Sequence, residues 1–521
     1  MNRKYLLPAL FSVLLLISVC LGFRSFFASV AFYSALGLLI CAYLPLRKVK
    51  MNDVQRKEKT AILLWTAVLI LFTTILTTLS PAWKEDGPRH IHQYEEITES
   101  FLKGKITQDY YVDERLLAME NPYDYEARER EGVIYYWDSA YYKGNYYMYF
   151  GVVPVFLLFL PYRLLSGSAL PSYVATAVFI AFAIAGLFTM LYYMSRRFFT
   201  KVTVLQYLLL STVFTLISTY YAAMHPSLYC TAISASLALE IWSLYFYLKA
   251  VFDACAEQKR VRFALFGAVF GALAFGCRPP VALGNLAVLV LFAVYLKRQG
   301  IRQWKPMMVC LLPYLLVGAG LMIYNDVRFE NPLEFGQAYQ LTIADQHLYG
   351  SILTTLKAQG IRRVIKQMIA QYFAIGKVES SFPFLNYGGA FINCPLFLSV
   401  FFLLHKKVRE YLIKQQLFSF VVALEGISAL ISFADVAFSP FLMERYRLDI
   451  YFLLSISAFC VILAAIEVGQ GKKEAVFYAA SLFTLLELAL ILLIPDDSNV
   501  TAYYYPEALE TIVRILCFSL F

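Results

Sequence analysis

Apolar residues fall into runs of about twenty along most of this chain, and short polar segments separate the runs. A helix needs about 20 apolar residues to cross the ~30 Å hydrocarbon core of a bilayer. The sequence lacks the ten-residue alternating segments that indicate a membrane β-barrel. The pattern therefore predicts helices over the runs 5–22, 26–46, 61–80, 150–165, 172–195, 203–222, 228–249, 263–279, 281–296, 306–324, 388–404, 417–437, 446–467 and 475–494.

The charges between the runs predict which loops share a side of the membrane. Basic residues collect on cytoplasmic loops. The segment 81–149 carries fourteen Asp and Glu residues against eight Lys and Arg residues, so we expect it outside. The basic segments that we expect inside are 47–59, 196–201, 249–262, 297–305, 405–416 and 471–474.

We expect 81–149 outside and 196–201 inside, so an odd number of spans must separate these two segments. Two apolar runs lie between them, and one of these runs therefore does not cross the membrane. The run 150–165 is short and contains Pro154 and Pro161, so we expect it to be re-entrant or interfacial. About 13 spans then remain, with the amino terminus inside and the carboxyl terminus outside. The alternative places 196–201 outside and inverts every later loop, against the charge bias of five of them.

Composition agrees with this class of protein. The 521 residues are 60% hydrophobic, and the mean hydropathy is +0.61. Soluble domains are nearer half apolar, so we predict an all-α integral membrane protein, a polytopic helix bundle. The basic loops account for the net charge of +9, which removes the need for a nucleic-acid partner. The nine cysteines are scattered singly, without the spacing of a zinc site or a disulfide framework.

Two long segments, 81–149 and 325–388, are predicted to lie outside the membrane. Long loops of this kind usually carry function. The second contains a basic amphipathic stretch, 361–369, that is typical of a helix on the bilayer surface. We expect a two-helix extension and a basic loop over 1–60, the main membrane domain over 61–470, and a final helix with an outside tail over 471–521.

An acidic cluster opens the first outside segment and contains Glu85, Asp86, His90 and His92. A carboxylate held near apolar walls can have a raised pKa and serve as general base toward a hydroxyl. Histidines beside it are suited to orient that base or to bind a phosphate. Asp86, His90 and His92 are also ligand types of a divalent metal site. A solvated loop without chemistry is the third interpretation.

A tyrosine-rich stretch follows in the same segment. Aromatic faces with hydroxyl tips suit sugar rings, whose faces are apolar and whose edges are polar. An interfacial aromatic belt would also enrich Tyr and Trp, but it would not need the charges interleaved here. We therefore predict sugar or acceptor binding by Tyr123, Asp124, Arg128, Trp137, Asp138, Tyr141 and Lys143.

Arginines at helix mouths are candidates for binding a phosphate. Arg445 and Arg447 flank Tyr446, and Arg278 lies at the outer end of another run. Arginine binds phosphate through charge-assisted hydrogen bonds. The alternative is that such an arginine only extends its charged group to the membrane interface and binds no ligand. Acids within the runs favour a transporter instead: Glu240, Glu425, Asp435 and Glu487.

Several motifs together resemble a known family of membrane enzymes. The stretches NPYD…R, YYKGNYYMYFG, RPP, YNDVRFENPLEFG and ERYRLD look like those of GT-C fold polytopic glycosyltransferases. The resemblance is to bacterial relatives of the protein O-mannosyltransferase and aminoarabinose transferase group, which are glycosyltransferase family 39-like. It covers most of 61–470 and implies a GT-C-like bundle with its active site at the two outside segments.

The resemblance implies transfer of a sugar from a polyprenyl-phosphate donor to a hydroxyl of a cell-envelope glycan, lipid or protein. It implies Asp86 or Glu85 as the base, Arg445 or Arg278 on the departing phosphate, no cofactor, and a bacterial plasma membrane. The family often has Asp-Glu, or acids one residue apart, where this chain has Glu85-Asp86-Gly87. The base therefore stays open between these neighbours. A transporter or flippase of lipid-linked sugars is the alternative function.

Overall fold

The computed structural model describes residues 44–81, 92–375, 388–439, 442–469, 471–491, 500–507 and 509–510. These residues are mostly helical, with one two-stranded hairpin. The predicted all-α class is confirmed at that level.

The α-helices have the following bounds: α1 Arg56–Leu79, α2 Gln93–Leu102, α3 Glu114–Ala118, α4 Tyr125–Arg130, α5 Leu160–Ser166, α6 Ser172–Phe198, α7 Val204–Met224, α8 Leu228–Phe252, α9 Glu257–Phe275, α10 Pro279–Ala282, α11 Leu286–Gln299, α12 Leu311–Phe329, α13 Ile352–Gln359, α14 Ile361–Phe373, α15 Ala390–Asn393, α16 Lys406–Lys414, α17 Phe418–Ala437, α18 Leu448–Glu467, α19 Gly471–Ile491 and α20 Val500–Tyr504. The hairpin strands are β1 Ala140–Tyr142 and β2 Asn145–Tyr147. A π-helical segment covers Val155–Phe159, and 3₁₀ segments cover Leu44–Lys48, Met51–Asp53, Leu283–Asn285, Ile301–Cys310, Gln346–Tyr349, Pro395–Leu404 and Glu444–Arg447.

Nine helical stretches in the described part of the chain are long and apolar enough to cross a membrane: Arg56–Leu79, Ser172–Phe198, Val204–Met224, Leu228–Phe252, Pro279–Gln299, Met307–Phe329, Phe418–Ala437, Glu444–Glu467 and Glu474–Ile491. Each coincides with a predicted run. The run 5–22 and most of 26–46 lie outside the described residues, so the total of about 13 spans stays a prediction.

The run 150–165 forms only the short apolar helix Val155–Ser166. Both flanks of this helix contact α2. The Tyr94 hydroxyl donates to the Gly151 carbonyl at 3.3 Å, and Glu95 accepts from the Ser172 amide at 2.7 Å. The chain thus enters and leaves this segment at the same end of the bundle.

Two further runs differ from the span-length helices that their hydropathy predicts. Helix α9 begins in a charged turn with Glu257, Lys259 and Arg260, which shortens its apolar part. The run 388–404 forms α15 and then the 3₁₀ segment Pro395–Leu404. A 3₁₀ helix rises ~2.0 Å per residue against ~1.5 Å in an α-helix, so this short segment reaches further than its length suggests.

The predicted inside segments lie together at one end of the bundle, which we call the basic end. They make the following contacts: Asn52 Nδ2 to Phe199 O, Arg197 Nη2 to Phe252 O, the Arg298 guanidinium over the Phe252 ring, Arg298 Nη1 to Gln416 Oε1, Tyr411 OH to Phe198 O, and Gln206 Nε2 to Glu474 Oε2. These segments are therefore neighbours at one end of the bundle.

The two long segments lie at the opposite end, which we call the site end. The β1–β2 turn at Lys143 and Gly144 has positive φ at both residues, as a tight hairpin turn requires. Ala140 forms a β-bridge with Gln340, and the Tyr141 amide donates to Tyr339 O at 2.9 Å. The first and second segments thus pack on each other.

Helix α18 lies at the centre of the bundle, where every one of its residues is buried. It packs against α7, α17 and the 3₁₀ segment Pro395–Leu404. Because this helix begins at the site end, it carries Asp449 and the preceding Arg445 and Tyr446 into the middle of that end.

Candidate functional site

A cavity of about 840 Å³ opens at the site end, and we call it the polar cavity. Arg278, Arg445, Asp138 and Glu129 give it charge. Its aromatic wall contains Tyr125, Tyr135, Trp137, Tyr149, Phe150, Tyr229 and Tyr446. Charged and aromatic groups in one concave site are typical of a binding site for a polar ligand with apolar faces.

A second cavity of about 470 Å³ adjoins the first, and we call it the apolar cavity. Its lining includes Phe275, Leu283, Leu321 and Phe335. The two cavities share a wall made of Tyr149, Phe150, Arg278, Gln337, Phe438, Ser439 and Tyr446. A ligand with a polar head and an apolar chain could therefore contact both.

Arg278 is held in the shared wall by the end of α9. The helix ends at Phe275 with Gly276 as its cap, and Pro279 disfavours a helical backbone at the residue before it, so Arg278 is extended. The Val153 amide donates to Gly276 O at 3.1 Å. A Cβ atom at Gly151 would lie 2.2 Å from Cys277 O, so only glycine allows this close approach.

The charge of Arg278 is matched by Asp449. Arg278 Nη2 lies 2.6 Å and its Nε 2.9 Å from Asp449 Oδ2, and Asp449 is fully buried. Asp435, which lines the apolar cavity, also interacts with Arg278 and Asp449. Asp449 is thus the ion-pair partner of Arg278 among the described residues, and Asp435 is a second acid near this pair. Arg278 was predicted as a phosphate ligand from the sequence. Its ion pair with Asp449 could not be predicted, because the two residues are 171 positions apart.

Arg445 stacks 4.0 Å over the ring of Tyr229 and forms no ion pair within the described residues. The Tyr229 hydroxyl donates to the Asp138 carboxylate, which also accepts from Gln340 Nε2 at 3.0 Å. Asp138 has a left-handed backbone, with φ of 55°. A non-glycine residue in that region is uncommon and is held there by its surroundings.

Arg447 lies away from both cavities. In a 3₁₀ helix successive residues are about 120° apart, so residues 445 and 447 cannot face the same way. Arg447 lines a separate space of about 10 Å³ together with Glu444 and Tyr221. Tyr446 between them lines both large cavities.

Two of the seven predicted sugar-binding residues, Trp137 and Asp138, line the polar cavity. Tyr125 and Tyr135, which the sequence did not single out, lie 6.3 Å and 6.4 Å from the Trp137 ring. Burial raises the pKa of the Tyr149 hydroxyl to about 12, so this group stays a hydrogen-bond donor at neutral pH.

The other five residues have contacts within the protein and do not line either cavity. The Tyr123 hydroxyl donates to Tyr141 O, and Tyr141 is buried. Asp124 caps α4 by accepting from the Ala127 amide. The last two of the five also have internal partners. Arg128 is fully buried and donates to Pro122 O and Thr342 O, and Lys143 forms an ion pair with Glu330 at 2.6 Å.

Glu85, Asp86 and His90 lie outside the described residues. His92 lies at the start of α2, with its Nδ1 3.7 Å from Glu95. Gln93, which follows it, donates to Asp138 O at 3.4 Å. In the described ranges no group of three His, Cys, Asp or Glu residues could hold a metal ion, which leaves the Asp86–His90–His92 alternative untested.

The described side chains could hold an anion on arginine and a sugar against aromatic rings. They also include carboxylates, Asp138 and Glu129, that could receive or position a hydroxyl proton. No protein-family model, curated protein or solved structure matches the chain. A functional proposal therefore rests on the residues and cavities themselves.

Proposed function

We propose that this protein is a membrane glycosyltransferase that moves a sugar from a polyprenyl-phosphate donor to an acceptor hydroxyl. The observation that carries the proposal is the wall shared by a polar and an apolar cavity, with Arg278 in it. A polyprenyl-phosphate sugar has the same division into a polar ring, a charged phosphate and an apolar chain. The sugar would occupy the polar cavity, and the chain would leave through the apolar one.

The reaction is a direct displacement at the anomeric carbon. A carboxylate takes the proton of the acceptor hydroxyl, and the acceptor oxygen forms a bond to that carbon. The bond between the anomeric carbon and the phosphate oxygen breaks, and the electron pair leaves with the polyprenyl phosphate. Arginine stabilises the charge that develops on this leaving group.

The roles combine the family resemblance with the residues that line the cavities. Asp86 or Glu85 is the proposed base, as the resemblance implies. Gln93, the first residue of α2, donates to Asp138 O of the polar cavity. We assign the phosphate to Arg445 and Arg278, which line the polar cavity, and to Tyr446, which lines both cavities; His90 is a further candidate. We assign the sugar or acceptor to Trp137 and Asp138, which also line the polar cavity.

We place the site on the extracytoplasmic face of a bacterial plasma membrane. The basic end, opposite the site end, carries the residues that the positive-inside rule assigns to the cytoplasm. Exposed positions at each end test this orientation. In intact cells, a membrane-impermeant thiol reagent should label Glu131→Cys and leave Arg196→Cys unlabelled; the reverse pattern would invert the proposed topology.

Transport of a lipid-linked sugar is the second candidate function. The observation that favours it is Asp435, an acid of a membrane helix that lines the apolar cavity. A flippase would move the intact donor between leaflets, whereas a transferase would cleave it.

Purified protein, a radiolabelled polyprenyl-phosphate sugar and envelope acceptors test the proposal. We expect wild type to transfer the label, and either Asp86→Asn or Glu85→Gln to abolish turnover while donor binding persists. Only one of the two neighbouring carboxylates can be the base. The variant of the other carboxylate is therefore the matched control and should keep its turnover. Full turnover in both variants would remove the proposed base.

A further inference from the structure

A second arginine, Arg328, lies in the wall of the apolar cavity, in the last turn of α12. It belongs to the stretch YNDVRF, and its neighbours Tyr324 and Asn325 line the same cavity. Only 4% of Arg328 is exposed. A charged side chain buried to this degree normally has a charged partner.

The hydrogen bonds of Arg328 go to neutral oxygens. Its Nη1 donates to Met148 O at 2.9 Å, and its Nη2 donates to Asn325 Oδ1 at 2.7 Å. The guanidinium also stacks 3.9 Å over Tyr324 and 4.6 Å over Phe329. Within the described residues Arg328 forms no ion pair, and the partial negative charge at the end of α12 offsets only part of its charge.

Two donors in this wall are unused. The Nε of Arg328 and the hydroxyl of Tyr324 are both buried and form no hydrogen bond of good geometry among the described residues, although the hydroxyl is close enough to the guanidinium to interact with it. Buried donors are rarely left unpaired, and each needs an explanation. Both belong to residues that line the apolar cavity, so an acceptor brought to this wall would find two donor groups side by side.

Arg278 provides the internal comparison, because it lines the same cavity but already has an acidic partner. An anion that approaches Arg278 must compete with the Asp449 carboxylate. An anion that approaches Arg328 meets a cation whose charge is unmatched. An anion in this cavity should therefore bind more favourably at Arg328 than at Arg278. The family resemblance instead implies Arg278 and Arg445 as the phosphate ligands.

We infer that Arg328 and Tyr324 form an anion-binding site in the apolar cavity, and that its ligand is the phosphate of an amphiphile whose chain lies along Phe275 and Leu321. The identification of this amphiphile with the sugar donor rests on the proposed function; the anion site itself does not. Arg278 and Arg445 would then contact the same phosphate from the side of the polar cavity, where the sugar lies.

The experiment measures binding of a sugar-free polyprenyl monophosphate to the full-length protein in detergent, without acceptor or turnover. We expect Arg328→Gln to weaken binding about 10- to 100-fold, the usual effect of losing a charge-assisted hydrogen bond. Tyr324→Phe should weaken it about threefold or more, because this variant removes a donor of the same wall and keeps the ring under the Arg328 guanidinium. Arg409→Gln, at an exposed arginine of α16 at the basic end, is the matched control and should change nothing.

Two variants keep the inference testable if Arg328→Gln fails to fold. Tyr324→Phe retains the packing, and Asp435→Asn removes an acid from the same cavity. We expect Asp435→Asn to tighten phosphate binding several-fold. Unchanged affinity in a folded Arg328→Gln, or in both Tyr324→Phe and Asp435→Asn, would overturn the inference.

Two further probes separate the sources of the anion. Inorganic phosphate that displaces the polyprenyl phosphate at equal concentration would identify a free-phosphate site that still uses Arg328. Uncharged polyprenol that binds as tightly as the phosphate would show an apolar site only and would overturn the inference. The two proposals can also fail separately. If the Arg328 variant loses phosphate binding but the wild-type protein transfers no sugar, the proposed function is contradicted and the anion site is supported.

Discussion

Arginines at the two ends of the bundle differ in what surrounds them. At the basic end, Arg197 donates to a backbone carbonyl, and Arg298 stacks on Phe252 and donates to Gln416. At the site end, Arg278 and Arg445 line cavities large enough for a ligand. Residue type therefore does not separate a structural arginine from a candidate for ligand binding; the space beside the guanidinium does.

The largest expected effect concerns the buried pair at the site end. Asp449→Ala leaves Arg278 without its partner, and breaking a buried ion pair typically costs about 3–5 kcal/mol of folding free energy. The free energy of unfolding in mixed detergent would measure this loss. Glu410→Gln, in the exposed pair with Lys406 at the basic end, should cost less than about 1 kcal/mol. An equal loss of unfolding free energy in Asp449→Ala and Glu410→Gln would contradict the difference between the buried and the exposed ion pair.

A smaller effect is expected when the two kinds of arginine are removed. Arg445→Ala should weaken donor binding about 10- to 100-fold, since an anion would lose a charge-assisted contact. Arg298→Ala should leave donor binding unchanged, because its contacts are internal. Titration of both variants with the labelled donor measures the difference. Unchanged affinity in Arg445→Ala would make that residue an interface anchor.

The smallest effect concerns the residue between Arg445 and Asp138. Tyr229→Phe removes the hydrogen bond to the Asp138 carboxylate and keeps the ring under Arg445. We expect the transfer rate to fall about 3- to 10-fold, with stability changed by about 1 kcal/mol or less. Tyr411→Phe, which loses a hydrogen bond to Phe198 O at the basic end, is the control. A fall in rate in both variants would indicate a general loss of stability.

Local patterns predicted much of the bundle, because a membrane helix must satisfy its own backbone and present apolar side chains. Nine predicted runs are span-length helices, and the basic loops meet at one end. The run 388–404 shows the limit: hydropathy measures length and polarity but not the 3₁₀ geometry that follows Pro395. Nor does it reveal that both flanks of 150–165 contact α2.

The candidate site was predicted less completely, because its composition does not reveal which charges have partners. Four of the candidate residues, Trp137, Asp138, Arg278 and Arg445, line the polar cavity, and their binding roles stay predictions. Arg128 belongs to the same tyrosine-rich stretch, yet it is fully buried and donates to Thr342 O, 214 residues away. No local signal separates a buried structural arginine from one that faces a cavity.

The fate of a labelled sugar in proteoliposomes distinguishes sugar transfer from lipid transport. The vesicles would contain the purified protein and a radiolabelled polyprenyl-phosphate sugar, and envelope acceptors would be added outside. We expect label to become covalently attached to an acceptor while an equal amount of polyprenyl phosphate is released. Intact labelled lipid that only moves between the leaflets would rule out the proposed transferase and identify a flippase.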